Sequence, residues 1–525
     1  MILKNVYFRL NSSEKIGIGH AMRCVRIARI LKKNGHKCIF YIDHQSDLEF
    51  FLKDFEINYI YDHKNKYKNQ RIDADIFIKK IKAKNSIVVV DDYRLDHNWE
   101  KIVSKIKIKI IVIDDSETQE HYCNTYINYK PNLNNIKNFN TSIMKNNNTN
   151  LLLGPKYSVI DYKTKHKKKK FNKKIFDVCF YMGGSGDFKF FDKVILKLIK
   201  FFPLIRRKIR FNIISGIACK NLKNLILLSK KYKFINIING KKKIDKIIYN
   251  MDLIVGSAGN IVYESSYCNI PSLFFEISKN QKNDLINMEK IGHYFLLPIS
   301  EIKNFKKIAE LIFLMIKNYN KIYKLSLNKE TKVDNKGATR IAKNIISINN
   351  VNKNISIKPK NLKLSDKFFF RKVQDNEINK YLESRNLLVN RKVSISPKKI
   401  NRLDHYIWWL STKRDSFVMI TNNNKIVYLY DETINLKNKN YSLQGWVACG
   451  EKLGIKEILT ALNWHQKYMK KKKEIDLSFG IIKKGNKINF SKYLNWQPVQ
   501  NNSNEYEVLK KICKINKKYN YYSRY

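Results

Sequence analysis

One pattern appears twice in this chain and limits its fold more than any single motif does. Short β-like runs alternate with amphipathic helical segments, first over residues 1–160 and again over 175–350. The first set of strand-like runs is Ile2–Arg9, Lys37–Ile42, Ser86–Val90 and Lys107–Ile113. The pattern restarts after Lys156 with Asp177–Met182, Ile209–Ser215, Phe234–Ile238, Asp252–Val255 and Ser272–Ile277. Strands alternating with helices imply parallel sheets covered by helices. The expectation is an α/β protein with two open lobes in tandem, joined by the Lys-rich connection Lys163–Lys174 and closed by a helix over Thr331–Ile346. Open α/β sheets bind ligands beyond the carboxyl ends of their strands, so the chemistry belongs in a cleft between the lobes.

A third region differs in style. The Asn/Lys-rich segment Asn349–Lys363 reads as a linker, which places a boundary at about residues 351–366. Residues 367–525 are richer in Trp and carry one central helix candidate, Lys456–Tyr468. A separate α+β domain is expected there.

Charge needs a decision. There are 102 Lys+Arg against 45 Asp+Glu, a formal net charge of +57. A basic scaffold or nucleic-acid-binding protein would gather that charge in a stripe. Here the excess is mostly Lys and is spread over every segment, so it reads as compositional bias. Weak, salt-sensitive adhesion to polyanions is expected, with no specific nucleic-acid partner. None of the eight cysteines forms a CxxC pair, which removes zinc-ribbon and thioredoxin-like readings. Scattered thiols, an N-terminus without signal-peptide layout and no apolar run of membrane-span length lead to the expectation of a cytoplasmic protein without membrane insertion. Oligomeric state is not legible.

The most informative run is Phe8-Arg9-Leu10-Asn11, followed by Gly17-Ile18-Gly19-His20. Gly17 and Gly19 permit a tight turn and close approach to a ligand. Cys24, Ile27, Ala28 and Leu31 then form the buried stripe of a helix that ends near Gly35. His20 therefore stands at a helix start, where the positive end attracts phosphate and keeps an imidazole neutral. On spacing alone, a helix cap reads as well as a catalytic base.

Four further stretches follow the same logic. Val88–Val90 runs into Asp91-Asp92-Tyr93, placing two acids and a phenol at a strand's carboxyl end. Helix capping by either acid is the plain alternative. Ile113-Asp114-Asp115-Ser116 ends the next strand, and there capping is favoured. Gly183-Gly184-Ser185-Gly186 and Gly256-Ser257-Ala258-Gly259-Asn260 are small-residue turns after strands, suited to backbone contact with phosphate. Glu264 lies one turn into the helix after the second. Asn280-Gln281 follows Ser272–Ile277.

Taken in order, these stretches resemble the UDP-sugar hydrolases of pseudaminic acid biosynthesis, over roughly Met1–Ile346. Those enzymes open with Arg-x-Asp, Gly-x-Gly-His and a helix bearing an Arg, here Arg23. Asn11 stands where the family has Asp. The resemblance implies two Rossmann-like lobes of GT-B type and hydrolysis of a UDP-linked 2,4-diacetamido-2,4,6-trideoxyhexose to UDP and free sugar. It makes His20 the general base on water and needs neither metal nor cofactor. It places Arg9, Asn11, Gly17, Gly19, Tyr93, Gly183, Gly184, Ser257, Glu264, Asn280 and Gln281 around the substrate, with Glu264 on the ribose. A GT-B glycosyltransferase using a UDP-sugar donor is the alternative, because fold and nucleotide cleft do not decide the acceptor.

In the third region, Arg385-Asn386, Arg391, His405, Trp408-Trp409 and Tyr493-Leu494-Asn495-Trp496 resemble the GNAT N-acetyltransferases. That implies an α+β GNAT-like domain and acetyl-CoA as a possible cofactor. Gly450, Lys452 and Gly454 would form the pyrophosphate turn, and Asn486 would lie in the later cofactor-binding segment. Lys456 replaces a small residue of that turn. In the pathway so implied, acetylation of the C4 amine precedes hydrolysis, so fusing the two raises the local concentration of the intermediate.

Overall fold

The computed structural model describes residues 4–11, 19–46, 49–62, 66–82, 86–134, 136–160, 175–183, 186–188, 190–205, 208–216, 219, 221–239, 247–277, 287–347, 368–421, 424–450, 453–472, 475–485, 494–513 and 515–524. The connection Lys163–Lys174 and the linker Asn349–Lys363 lie outside the described residues. The chain divides into two compact units, Met1–Asn354 and Ile355–Tyr525.

The first unit contains two parallel sheets. The first comprises β1 (Asn5–Leu10), β2 (Lys37–Ile42), β3 (Glu56–Tyr59), β4 (Ser86–Asp91), β5 (Lys109–Ile113), β6 (Thr125–Asn128) and β7 (Asn150–Leu153). Its order is β3-β2-β1-β4-β5-β6-β7, and every neighbouring pair is parallel. Helices cover both faces of such a sheet, so its strands read as apolar runs. Every residue of β4 is buried. The strand expected from Lys107 begins at Lys109 because Lys107 takes a left-handed backbone conformation, φ 60°, and turns the chain first.

The second sheet comprises β8 (Ile175–Tyr181), β9 (Lys208–Ser215), β10 (Ile235–Asn239), β11 (Leu253–Ser257), β12 (Ser272–Phe275) and β13 (Phe295–Leu297). Its order is β10-β9-β8-β11-β12-β13, again parallel throughout. One apolar core runs through both lobes. It joins Val25 and Leu31 to Val262 and Tyr263, and to Ile341, Ala342 and Ile345 of the closing helix. That helix spans Gly337–Ile346 and so starts later than expected. The Asp334 side chain accepts the Lys336 N–H at 2.9 Å and pairs with Arg340, which folds residues 334–336 into a turn.

In both sheets the strand order reverses beside the first strand. β1 lies between β2 and β4, and β8 lies between β9 and β11. These switch points open a crevice at the strands' carboxyl ends. The Gly19-His20 segment follows β1, Asp91 ends β4, Gly183 follows β8, and Ser257 ends β11. The topology therefore brings the marked sequence stretches to the two crevices.

The second unit holds a mixed sheet: β14 (Phe368–Lys372), β15 (Asp415–Thr421), β16 (Asn424–Leu436), β17 (Lys439–Ala448), β18 (Leu477–Lys483), β19 (Gln497–Pro498) and β20 (Tyr519–Arg524). The order is β14-β15-β16-β17-β18-β20-β19. Only β17 and β18 are parallel, and only over Tyr441–Gln444 against Leu477–Gly480. The central helix spans Ile455–Lys470. It packs Trp464 flat on Phe370, with ring centroids 4.3 Å apart. The molecule is thus α/β, with two parallel-sheet Rossmann-like lobes and a further α+β unit. Among the described residues no helix is long and apolar enough to cross a membrane.

Candidate active site

His20 is the second residue of the helix Gly19–Lys33, whose first turn carries no acidic side chain. Its ring is 8% exposed, and Nδ1 lies 2.5 Å from Asp91 Oδ1. Asp91 is fully enclosed, and Arg23 grips it from the next turn of the same helix. Arg23 Nε donates to Asp91 Oδ2 at 2.6 Å, and Nη2 donates to Oδ1. Burial pushes the Asp91 carboxyl up, but Arg23 and His20 outweigh it and hold the group well below the usual carboxylate range. An ionised Asp91 only accepts hydrogen bonds, so Nδ1 of His20 carries the proton and donates it. The guanidinium 3.1 Å from Nδ1 is itself a donor, and that contact is not a hydrogen bond. Nε2 is left with its lone pair, the tautomer a general base needs.

Tyr93 and Asp115 complete this wall. The Tyr93 ring meets His20 edge-on, with centroids 4.8 Å apart, and its hydroxyl donates to Asp115. Burial raises the Tyr93 phenol well above its ordinary range, and Asp115 raises it further. Asp115 Oδ2 also accepts from Arg23 Nη1 at 3.3 Å. The helix capping expected at this strand end does not occur, because β5 leads to β6 with no helix between them, and Asp114 closes a turn by accepting the Ser116 N–H at 2.7 Å. Asp115 instead belongs to the site.

The second lobe reaches the same place. Asn260 donates to the Gly19 carbonyl at 3.4 Å and accepts from the Tyr129 hydroxyl at 3.3 Å. Tyr129 in turn accepts from Arg23 Nη1 at 2.7 Å. Glu264 is bound by Arg26 of the His20 helix, Nη2 to Oε1 at 2.9 Å. Gly183 has φ +83°, which favours glycine, and a Cβ built on it would lie 3.7 Å from Ser257 Oγ. The two small-residue turns therefore abut.

Arg9 requires a correction. It was expected to touch substrate, but its guanidinium is 0% exposed. It donates to Asp73 at 2.6 Å, to Asp43 at 2.7 Å and to the Leu10 carbonyl at 2.6 Å. Arg94 binds Asp43 and Asp92 from the other side. Arg9 thus anchors the turn that follows Asp91 and presents no face to a ligand. The Tyr93 hydroxyl gives its proton to Asp115, so it is left to meet a ligand through its ring or as an acceptor. Asn11 directly follows β1 and is buried.

Gly17, Gly184, Asn280, Gln281, Lys452 and Asn486 lie outside the described residues. Gly450 and Gly454 are exposed in the second unit, Gly454 as N-cap of the helix Ile455–Lys470. Sequence reasoning missed Asp91 as partner of His20, and also Tyr129, Arg26 and Asn260. Its one usable signal was a carboxylate closing an entirely apolar strand.

No family model and no curated protein matches the sequence. Among solved structures, MurG of Acinetobacter baumannii is 12% identical, with 66% of this chain and 99% of that one covered and a TM-score of 0.47. The S. aureus MnaA–UDP structure is 14% identical, covering 69% and 100%, with a TM-score of 0.44. UDP-GlcNAc 2-epimerase from Neisseria meningitidis, bound to UDP-GlcNAc, is 15% identical, covering 66% and 100%, with a TM-score of 0.41. Likeness this distant decides nothing about chemistry, and the fold rests on the sheets themselves.

Proposed function

We propose that the first unit hydrolyses the glycosyl bond of a UDP-sugar, specifically a UDP-linked 2,4-diacetamido-2,4,6-trideoxyhexose. The observation that carries this reading is the His20–Asp91 couple at the switch point of the first sheet. It faces the small-residue turns of the second lobe. His20 Nε2 takes a proton from water, and the resulting hydroxide-like oxygen attacks the anomeric carbon. The carbon–oxygen bond to the diphosphate breaks, and UDP leaves with the electron pair. Asp91 stabilises the imidazolium as it forms, and such base catalysis contributes roughly a hundred- to ten-thousand-fold. The backbone turns at Gly183 and Ser257 suit the diphosphate. Glu264 is suited to accept two ribose hydroxyls, with Arg26 holding the carboxylate in place.

Incubation with this sugar nucleotide and no acceptor tests the reading. Release of UDP and free sugar supports it. Release that begins only when an acceptor sugar is added would make the protein a glycosyltransferase instead.

For the second unit we propose acetylation of an amine of the UDP-sugar, with acetyl-CoA as acyl donor. Two observations support a fit. β17 and β18 part beyond Gln444 and Gly480, and a cleft opens between them. The helix Ile455–Lys470 lines that cleft with Leu462, His465 and Gln466, its first amides have no side-chain cap, and Lys456 is exposed. Gly450 and Gly454 would cradle the pyrophosphate. The Glu457 carboxylate, 2.0 Å from where a Cβ on Gly454 would lie, must swing aside for an anion. The donor supplies an activated acetyl group, and the chain supplies orientation and a proton acceptor.

A further inference from the structure

The fork between β17 and β18 contains a histidine that neither the sequence motifs nor the first site uses. The cleft there measures about 490 Å³ including its open mouth, and its wall includes Trp446, Leu462, His465, Trp496 and Tyr522. His465 stands on the helix Ile455–Lys470 and is 2% exposed. Its Nε2 is buried without a hydrogen-bond partner, and so is Asp431 Oδ1, 3.6 Å away. Asp431 is 1% exposed, and its other oxygen accepts from Lys472 Nζ at 2.9 Å. The same ammonium holds Asp415 Oδ2 at 2.9 Å.

Two buried polar atoms that face each other unpaired carry a desolvation cost that a hydrogen bond would relieve. A closing movement of about 0.5 Å brings them into bonding range. Lys472 fixes Asp431 by donating to its carboxylate. A carboxylate in that place selects the Nε2–H tautomer, which puts the lone pair of His465 on Nδ1. Behind Asp431 stand Lys472 after the helix and Asp415 on β15, while Tyr522 on β20 lines the same cleft.

We propose that His465 is the proton acceptor for acyl transfer in this fork, with Asp431 as its positioning residue. The proposal rests on the acetyl-transfer reading of the second unit. The acceptor's amine nitrogen attacks the thioester carbonyl carbon. A carbon–nitrogen bond forms, and the carbon–sulfur bond breaks with its electron pair going to sulfur. The proton lost by nitrogen passes to His465 Nδ1, and the thiolate later takes a proton from it or from solvent.

The test uses the full-length chain. Acetyl-CoA affinity is measured by calorimetry, and acetylation of a UDP-4-amino sugar by mass spectrometry. His465→Gln is expected to keep the affinity within about two-fold and to slow transfer at least ~100-fold at neutral pH. The retained affinity shows that the variant is folded, and His465→Asn serves as a second variant. An independent readout is the histidine ring spectrum of ¹⁵N-labelled protein without ligand. The signal lost in His465→Gln should report the Nε2–H tautomer, and Asp431→Asn should change it. Wild-type transfer rates in both His465 variants, or a ring protonated at Nδ1, overturn the assignment of His465 alone. A wild-type chain that binds no acetyl-CoA at millimolar concentration overturns the acetyl-transfer reading, and this proposal with it.

Discussion

Asp91 serves several donors at once: His20, two nitrogens of Arg23, and the Cys24 thiol at 3.4 Å. Its two oxygens have lone pairs for all of them. The sharing separates two substitutions that otherwise look equivalent. His20→Asn should lower UDP release by roughly a hundred- to ten-thousand-fold and leave UDP affinity by calorimetry nearly unchanged, because only the base is lost. Asp91→Asn should also strand the buried Arg23, at about 3–5 kcal/mol of stability, visible as a lower unfolding midpoint. Unchanged turnover in His20→Asn would remove the base role. Glu264→Ala should raise KM with kcat largely kept, since ribose contacts are alike in ground and transition states. A collapse of kcat at constant KM would give Glu264 another task. At this scale the sequence was half legible. Gly19-His20 announced itself through local spacing, whereas Asp91 read equally as a helix cap. What distinguishes the two roles is Arg23, which reaches Asp91 only after β1 and β4 pair. Arg9 was misread for the same reason, since its carboxylate partners Asp43 and Asp73 come from distant segments.

Elements were more legible, because apolar periodicity is local, although it singled out neither the short strands β3, β6, β7 and β13 nor the strand order, which pairing across distant segments decides. Departures occurred where one residue overrode the pattern, as at Lys107 and at the Asp334 turn. Close approach of elements was not readable. A Cβ on Gly256 would lie 1.8 Å from the Tyr181 carbonyl oxygen, because β8 and β11 pair there. Gly256→Ala should therefore destabilise the second lobe by about 1–3 kcal/mol and weaken nucleotide binding by displacing Ser257. Another element-scale consequence concerns pH. His121 is 1% exposed and lies between Glu100 on the helix His97–Ser104, at 2.7 Å, and Asp114 after β5, at 3.3 Å. Burial lowers its pKa, but Asp114 and Glu100 together raise it to about 9. The folded state thus binds this proton more tightly than the unfolded chain does. The stabilisation is complete below about pH 6.5 and is lost as pH rises through about 9, amounting to roughly 1–3 kcal/mol. Denaturant unfolding of wild type across this window should show that decline, and His121→Gln should flatten it. An equal slope in the variant would assign the effect elsewhere.

The whole molecule contains two compact units, each with a buried histidine–aspartate pair at its candidate site. The pairs differ in what they face. His20–Asp91 looks toward small-residue turns suited to a diphosphate, and His465–Asp431 toward an aromatic cleft between parting strands. If the units act on consecutive steps, each pair should fail separately. Given acetyl-CoA and a UDP-4-amino sugar, the wild-type chain should release UDP and an acetylated free sugar. His20→Asn should accumulate the acetylated UDP-sugar, since acyl transfer does not use His20. His465→Gln should leave the amino sugar unacetylated while still cleaving a UDP-sugar supplied already acetylated. Both intermediates are separable by mass, so one time course of each variant decides the matter. Loss of both steps in either single variant would mean that the units do not work independently. The uniform lysine excess adds a control on conditions. A net charge of +57 makes adhesion to polyanions strongly salt-dependent, so these time courses belong at physiological ionic strength. Adhesion to nucleic acid that persisted there would instead favour a binding role that the even spread of charge argues against.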